Sequence, residues 1–287
     1  MLKRAQESAG APVNLLIVLI AIAVAFVVIL GYILPSFLKI SDRENCRLSV
    51  IARSQTKILK TESELALNCH TNIIDIKKDG IYRDGNIDVA FKRGETVSDT
   101  EYKVKKYIAN QMYDCWYQFN EGQSDPWGDW HLGTIRHCVI CADINFDPEF
   151  NEKISKIIGF GEFINEEPYS RTSKDTYADY LGGRLEMDED IYIDTSQPHL
   201  VLYQLQDLGQ FGGVLSVATA VCGPLAIGAA FGPIGWATAG TGCVIGFAGG
   251  IYKYMVGRDN PEEVNLRASI IFAPTDAVKT GVCSIIG

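Results

Sequence analysis

Between Asp207 and Lys253, 45 consecutive positions carry no charged side chain. Nearly all of them are apolar or small, and glycine recurs throughout. A membrane-spanning helix needs about 20 apolar residues. The turn signal at Phe231–Gly235 divides the stretch into two segments of about that length. The pattern predicts an inserted, apolar, glycine-rich helical hairpin over residues 208–256.

Glycines in this apolar block recur at intervals of four, a spacing that on a helix forms a groove for close approach of a second helix. Such glycine zippers are typical of segments that insert in membranes. The positions that we expect to act in membrane insertion are Cys222, Gly228, Gly232, Pro233, Gly235, Trp236, Gly242, Cys243, Gly246 and Gly250.

Two cysteines support a hairpin. Cys222 and Cys243 lie almost equally far in sequence from the Gly232-Pro233 turn. In an antiparallel hairpin folded there they would sit at the same height, so we predict a disulfide between them.

Three placements of the hairpin remain open. It could be permanently inserted in a membrane, held against the protein and released into a target membrane, or buried in a soluble core. The entropy cost of ordering many glycines in water argues against the last of these.

A separate apolar run, Leu15–Leu34, predicts a transmembrane anchor over residues 15–38. Lys3 and Arg4 precede it, so the positive-inside rule favours a cytoplasmic N-terminus over residues 1–14 and an extracellular remainder. We therefore expect a cell-membrane protein whose ectodomain comprises residues 39–207 and 257–287.

The ectodomain reads as mixed α/β, which makes the predicted fold class α+β with an N-terminal transmembrane helix. Helices are predicted at Arg43–Lys60, from a capping box at Ser98 and Glu101 to Phe119, at Pro148–Ile158 and at Thr172–Leu181. Strands are predicted at Asn72–Lys77, around an Asp84-Gly85 turn within Ile81–Phe91, and at Ile135–Phe146, Ile191–Ile193, His199–Leu205 and Leu266–Phe272.

Two of these strands bracket the apolar block. If His199–Leu205 and Leu266–Phe272 pair in one sheet, the block is an insertion between neighbouring strands and is displayed from one edge of the domain. Segments positioned by a rigid scaffold often carry function.

Charge and cysteine content narrow the classes of function. The formal net charge is -9, which argues against nucleic acid as a partner. Eight cysteines fit a disulfide-stapled domain in an oxidising compartment.

Cys138 and Cys141 form the only CxxC motif, but it lies in a strand-like run where no helix dipole would activate a thiol. We expect structural disulfides there, with Cys115 as one partner, rather than a redox or zinc site. No cofactor or metal site is predicted.

Aromatic residues cluster around the loop 120–133. They are Tyr113, Trp116, Tyr117, Phe119, Trp127 and Trp130. Such a cluster is typical either of a recognition surface or of a core that packs the long helix on the sheet. The core is the favoured interpretation.

The N-terminal segment Lys3-Arg4-Ala5-Gln6-Glu7-Ser8 resembles the class III signal peptide of archaeal pilin-like proteins. The resemblance implies cleavage between Ala5 and Gln6 and packing of the apolar run into a filament. Gly10-Ala11-Pro12 and Asn14 depart from the usual pattern. An ordinary signal anchor with a short basic head is the alternative.

The whole chain resembles a group of uncharacterised membrane-anchored surface proteins of small-genome, DPANN-type archaea. The residues that carry this resemblance are Cys46–Ser49, Cys115–Gly122, the Cys138/Cys141 pair with Ile144–Asp147, and the glycine-rich block. The resemblance implies a cell-surface location and no known activity.

These observations predict a non-enzymatic surface protein whose hairpin inserts in or associates through a membrane, in cell contact, pore formation or complex assembly. Its expected partners are the lipid bilayer and a second copy of the chain or another surface protein. A pilin-like filament subunit is the alternative, and an extracellular thiol oxidoreductase using Cys138 and Cys141 is the third hypothesis.

Overall fold

The computed structural model describes Val18, Ala21 and residues 42–58, 66–127, 136–183, 185–186, 192–207, 218–222, 243–256, 262–278 and 285–286. The chain divides into two compact units, Met1–Glu44 and Asn45–Gly287. All the strands described below lie in the second unit.

The described helices are α1 (Asp42–Ile58), α2 (Val97–Gln118), α3 (Pro148–Lys153), α4 (Phe160–Glu166), α5 (Tyr177–Leu181) and α6 (Thr275–Ala277), with a short 3-10 turn at Asn120–Gly122. The described strands are β1 (Asn72–Lys77), β2 (Gly80–Arg83), β3 (Asn86–Ala90), β4 (Arg136–Phe146), β5 (Lys156–Ile157), β6 (Leu185–Glu186), β7 (Ile193–Asp194), β8 (His199–Asp207), β9 (Ala218–Cys222), β10 (Cys243–Val256), β11 (Glu262–Pro274) and β12 (Ile285–Ile286). The mixed α+β class is therefore confirmed.

Ten strands form one sheet, in the order β3-β2-β1-β4-β8-β11-β10-β9-β6, with β12 also paired to β4. Strands β5 and β7 form a separate pair. Strand β1 runs parallel to β4, while β8 is antiparallel to both β4 and β11. The centre of the sheet is therefore the β4-β8-β11 group.

Strand β1 shows why the alternating pattern predicts a strand. Ile74 and Ile76 are fully buried on one face, whereas Ile73 on the other face is 51% exposed. Val104 and Ile108 of helix α2, which share a face at helical spacing, belong to the same buried cluster as Ile74 and Ile76. Apolar burial on this one face joins helix and sheet into a single core.

The turn between β2 and β3 is the predicted Asp84-Gly85 hairpin turn. Both residues have positive φ, 50° at Asp84 and 79° at Gly85, as a two-residue hairpin turn requires. The prediction is confirmed.

The first residues of helices α2 and α3 can be compared with the sequence prediction. The N-cap of α2 is Thr96, whose hydroxyl accepts from the Asp99 amide, so the predicted capping box at Ser98 is wrong by two residues. Pro148 does occupy the first turn of α3, behind the N-cap Asp147, but that helix ends at Lys153.

Strand β8 is buried on both faces of the sheet. Val201, Tyr203 and Leu205 belong to the main core, and Leu200 and Leu202 belong to a smaller cluster on the opposite face. A continuous apolar run is what a strand covered on both sides requires. The strand that leads into the apolar block is therefore firmly held.

Candidate functional site

The two strands that bracket the apolar block are neighbours. Strands β8 and β11 pair antiparallel over nine positions, from Leu266 opposite Asp207 to Pro274 opposite His199. The predicted pairing is confirmed, and the block is an insertion between adjacent strands of one sheet.

The described parts of the block are strands, not helices. Strand β9 lies at Ala218–Cys222 and strand β10 at Cys243–Val256, and β10 pairs with both β9 and β11. The prediction of a helical hairpin is wrong for these segments. Val, Ile, Phe and Tyr in β10 favour extended backbone, and its peptide groups pair with β11 along most of the strand and with β9 at Cys243–Gly246.

A neck is formed where β9 ends and β10 begins. Cys222 lies directly opposite Cys243 in an antiparallel register. Opposed residues in such a pair have Cα atoms about 4.5–5.5 Å apart, within the range that a disulfide spans. The register supports the predicted Cys222–Cys243 disulfide, which stays a prediction.

The neck encloses residues 223–242, a connection of 20 residues without a charge. Below, these residues are called the apolar loop. The predicted insertion residues Gly228, Gly232, Pro233, Gly235, Trp236 and Gly242 belong to it and lie outside the described residues, as do Ala5 and Gln6.

The two remaining predicted glycines lie in β10. Gly246 is opposite Thr219 on one side and Ile271 on the other. Gly250 lies where the register with β11 shifts between Ala248 and Ile251. Positions four apart share a face in a regular strand as they do on a helix. The spacing therefore did not distinguish the two structures.

The turn Asn120–Gly122 supports the strands next to the block and was not predicted. It follows α2 and lies beside β10 and β11. All three residues have positive φ: 53° at Asn120, 51° at Glu121 and 74° at Gly122. A non-glycine residue in this conformation costs roughly 1–2 kcal/mol. Strain of this kind persists only where surrounding contacts stabilise it.

Gly122 fits the turn tightly against β11. A Cβ added there would lie 2.6 Å from Ala268 Cβ and 2.7 Å from Trp116 Cη2. The absence of a side chain thus allows the turn to approach the strand. Glycine shortly after a long helix is a common helix-end signal and could have indicated this turn.

Arg47 on α1 fastens the same turn. Its Nη1 donates to Tyr117 O at 2.9 Å and Glu121 Oε1 at 3.2 Å, and its Nη2 donates to Asn120 Oδ1 at 3.0 Å. The guanidinium lies 4.0 Å from the ring centroid of Tyr117. Four contacts therefore hold the end of α2 and the strained turn to α1.

Helix α5 holds the turn from the other side. The Tyr180 hydroxyl donates to Glu121 Oε1 at 3.1 Å. Burial, reinforced by the Glu121 charge, raises the pKa of Tyr180. The phenol consequently stays a neutral donor. Helix α5 also lies beside β10. The Glu121 carboxylate therefore links α1 and α5 to a turn that lies beside β10 and β11.

Two disulfides stabilise the scaffold. Cys115 on α2 bonds to Cys141 on β4, with a Cα–Cα distance of 5.7 Å, and Cys46 on α1 bonds to Cys69. The first confirms the expected use of Cys115. Since Cys141 is bonded to Cys115, it does not pair with Cys138 as a CxxC redox couple would.

The aromatic cluster is largely core. Phe119 is fully buried and stacks on Tyr203 with ring centroids 4.1 Å apart, and Trp116 is 3% exposed. Trp127 stacks on His137 at 5.1 Å. The favoured interpretation is confirmed for these residues, while Trp130 lies outside the described residues.

His199 is a buried histidine at the centre of the sheet. Its Nδ1 lies 3.0 Å from Gln197 O, and its ring stacks on Phe272 at 5.0 Å. Its buried Nε2 has no hydrogen-bond partner among the described residues. Burial lowers the pKa of His199 to about 4. The ring is thus neutral at physiological pH.

Within the described ranges, no group of three or more His, Cys, Asp or Glu residues could hold a metal ion. Among the same residues, no helix is both long and apolar enough to cross a membrane. Apart from Val18 and Ala21, the predicted anchor lies outside them.

Comparison with family models, with curated proteins and with solved structures found no match.

Proposed function

We propose that this chain is a membrane-anchored cell-surface protein that presents its apolar loop, residues 223–242, to a lipid bilayer. The observation that carries the proposal is the neck, where Cys222 lies opposite Cys243. Twenty uncharged residues leave the sheet and return to it at one point. We therefore propose that the loop projects from the end of the paired strands β9 and β10.

The neck limits the form that insertion takes. Two membrane-spanning helices need about 40 apolar residues, and only 20 lie between the strands. Because both ends of the loop meet within about one strand spacing, the loop enters and leaves a bilayer on the same side. We therefore propose a re-entrant loop rather than a transmembrane helical hairpin.

The composition of the loop fits the interface of a bilayer. Residues 223–242 contain no Asp, Glu, Lys, Arg or His, and include Phe231 and Trp236. Tryptophan is enriched at membrane interfaces, where its ring is partly apolar and its N–H finds a partner. Exposing such a loop to water would be unfavourable by roughly 25 cal/mol per Å² of apolar surface.

The scaffold fits an external location. The two described disulfides are typical of proteins in an oxidising compartment. An anchor over residues 15–38 with Lys3 and Arg4 on its cytoplasmic side would place the sheet outside the cell. Anchor and loop would then give the protein two separate contacts with lipid.

Tryptophan quenching by brominated lipid tests the proposal on the full chain in proteoliposomes. Quenching requires contact between an indole ring and the acyl chains. We expect bromine-dependent quenching in the wild type and its loss, largely or completely, in Trp236→Phe. Trp127→Phe is the matched control, because Trp127 stacks inside the scaffold on His137 and Tyr203, and it should leave the quenching unchanged.

A second variant distinguishes insertion of the loop into the bilayer from transient contact with its surface. Ile234→Asp places one carboxylate in the centre of the loop and should abolish the Trp236 quenching, since a buried charge in lipid is costly. If Trp236→Phe and the wild type are quenched equally, the loop is not in the bilayer and the proposal is wrong.

A further inference from the structure

Cys138 has a disulfide partner that the sheet geometry identifies. Cys138 is disulfide-bonded. Four of the eight cysteines are occupied in the Cys46–Cys69 and Cys115–Cys141 bonds. The candidates that remain for Cys138 are Cys222, Cys243 and Cys283.

Strand order excludes two of the three candidates. Cys138 lies on β4, and the sheet continues through β8 and β11 before reaching β10 with Cys243 and then β9 with Cys222. Neighbouring strands are about 4.8 Å apart, so these two cysteines are about 14 and 19 Å away. A disulfide spans Cα atoms about 4.4–6.8 Å apart. Neither can bond to Cys138.

The C-terminal strand brings the third candidate to β4. Ile285 and Ile286 of β12 pair in parallel with His137 and Cys138. Cys283 is two residues before Ile285, a separation of at most about 7 Å. A disulfide to Cys138 is therefore within reach of the backbone.

We propose that Cys138 and Cys283 form a disulfide that fastens the C-terminal strand to the centre of the sheet. In forming it, the two thiols lose two protons and two electrons. A disulfide-bearing oxidant takes up both through thiol–disulfide exchange and is itself reduced to two thiols. The assignment leaves Cys222 and Cys243, which already oppose each other in register.

The bond has a clear role at the edge of β4. Strand β1 pairs with β4 only at residues 142–146, and β12 pairs with it at His137 and Cys138. Without β12, that part of the edge would present unpaired peptide groups, which invite pairing with another chain. A strand of two residues has few hydrogen bonds of its own, so a covalent bond would keep this edge covered.

Non-reducing tryptic mapping of the full chain tests the pairing directly. Trypsin separates the candidates, because Cys138 falls in peptide 137–153, Cys222 and Cys243 share peptide 185–253, and Cys283 falls in peptide 280–287. We expect 280–287 to be joined to 137–153, which also carries peptide 107–136 through Cys141. Attachment of 280–287 to peptide 185–253, or recovery of 280–287 as a free thiol, would overturn the proposal.

The mapping must also separate Cys138 from Cys141. Collision-induced fragmentation of the linked species breaks peptide bonds between the two cysteines and largely keeps the disulfides, so it should leave the mass of 280–287 on Cys138. In Cys115→Ser, we expect Cys141 to become alkylated while 280–287 remains attached. Attachment through Cys141 would contradict the assignment.

Hydrogen exchange tests whether the Cys138–Cys283 disulfide protects the edge of β4. In a Cys138→Ser, Cys283→Ser double variant, we expect amide exchange at residues 137–140 to rise about 10- to 100-fold, with little change at residues 142–146, which β1 still covers. Cys46→Ser with Cys69→Ser is the matched control and should leave 137–140 unchanged. An equal rise along the whole of β4 would mean that the bond merely stabilises the fold and would refute the edge role.

Discussion

The two sides of the main sheet are built from different kinds of sequence. On the β3-β2-β1-β4 side, strands β1 to β3 have four to six residues and are joined by tight turns, and apolar and polar residues alternate from Ile74 to Lys77 in β1. On the β11-β10-β9 side, the two long strands have 13 and 14 residues, and β10 is rich in glycine. Both sides nevertheless extend one continuous ladder.

The difference shows that the register of a strand can be set by signals in its own sequence or by the strands and turns that it contacts. Short strands with alternating residues and an Asp-Gly turn specify their own register. Strands β10 and β11, called the ribbon below, lack such signals. Their place is set by the register of β11 on β8 and by the turn Asn120–Gly122 that lies beside them. Disturbing these supports should therefore loosen the ribbon more than the β1 side.

The largest effect is expected at Gly122. In Gly122→Ala, the new Cβ would overlap Ala268 and Trp116 and would also occupy a positive φ. Overpacking costs about 1–3 kcal/mol and the backbone conformation about 1 kcal/mol more. We expect a loss of about 3 kcal/mol in the free energy of unfolding, measured by denaturant titration, with faster hydrogen exchange in β11 than in β1.

Gly94→Ala is the matched control for this substitution. Gly94 also has positive φ, 82°, but no atom lies within 4 Å of its added Cβ. It should lose only about 1 kcal/mol. Equal losses in the two variants would show that the close approach of the turn to β11 has no energetic weight.

A pH titration measures how strongly the buried His199, between β4 and β11, makes the stability of the sheet depend on pH. His199 pairs in register with Ile144 of β4 and Pro274 of β11, and burial lowers its pKa from 6.5 to about 4. Between these pH values the unfolded state binds more protons than the folded state, so stability falls as pH falls. We expect a loss of about 3 kcal/mol between pH 6.5 and pH 4.

His199→Phe should remove most of this pH dependence, because phenylalanine keeps a ring against Phe272 and does not titrate. Thermal unfolding at several pH values gives the slope for each variant. A slope that survives in His199→Phe would assign the acid sensitivity to other groups.

A smaller effect is expected when α1 is released from the turn. Arg47→Ala removes hydrogen bonds to Tyr117, Asn120 and Glu121 and a ring contact, and should cost about 1–2 kcal/mol in the free energy of unfolding. Arg43→Ala changes an arginine of the same helix whose ion pair with Glu44 is exposed, and it should cost less than Arg47→Ala because exposed ion pairs contribute little. Similar losses, measured by denaturant titration, would show that Arg47 acts only as a surface charge.

Much of the scaffold could be predicted because its signals are local or chemically distinctive. Ile74–Lys77 alternates between apolar and polar residues, Asp84-Gly85 forms its turn, and the strands on either side of the apolar block pair as expected. The strand-like setting of Cys138 and Cys141 also indicated structural disulfides, and Cys141 is bonded to Cys115.

The ribbon could not be predicted for physical reasons. An unbroken apolar run suits a membrane helix and a strand buried among neighbours equally well. Glycines four apart share a face in both. The pairing with β11 that decides between them is a contact between residues far apart in sequence, and neither residue reveals it alone. The strained turn at Asn120–Gly122 was missed because two of its three residues are not glycine.

The smallest effect is expected at the N-cap of helix α2. The sequence predicts it at Ser98, whereas the structure has it at Thr96. Thr96 accepts from the Asp99 amide and its hydroxyl donates to the Asp99 carboxylate, whereas Ser98 is exposed within the first turn. Losing a threonine N-cap costs about 1 kcal/mol. We expect that cost in Thr96→Ala and a change of less than about 0.5 kcal/mol in Ser98→Ala, both measured by denaturant titration. The first half of helix α2 is bonded to β3, where the Tyr107 hydroxyl donates to the Asp88 carboxylate, so exchange in β3 should rise more than exchange in β10. The reverse order of the two variants would restore Ser98 as the cap, and equal exchange in the two strands would remove the proposed difference between the two sides.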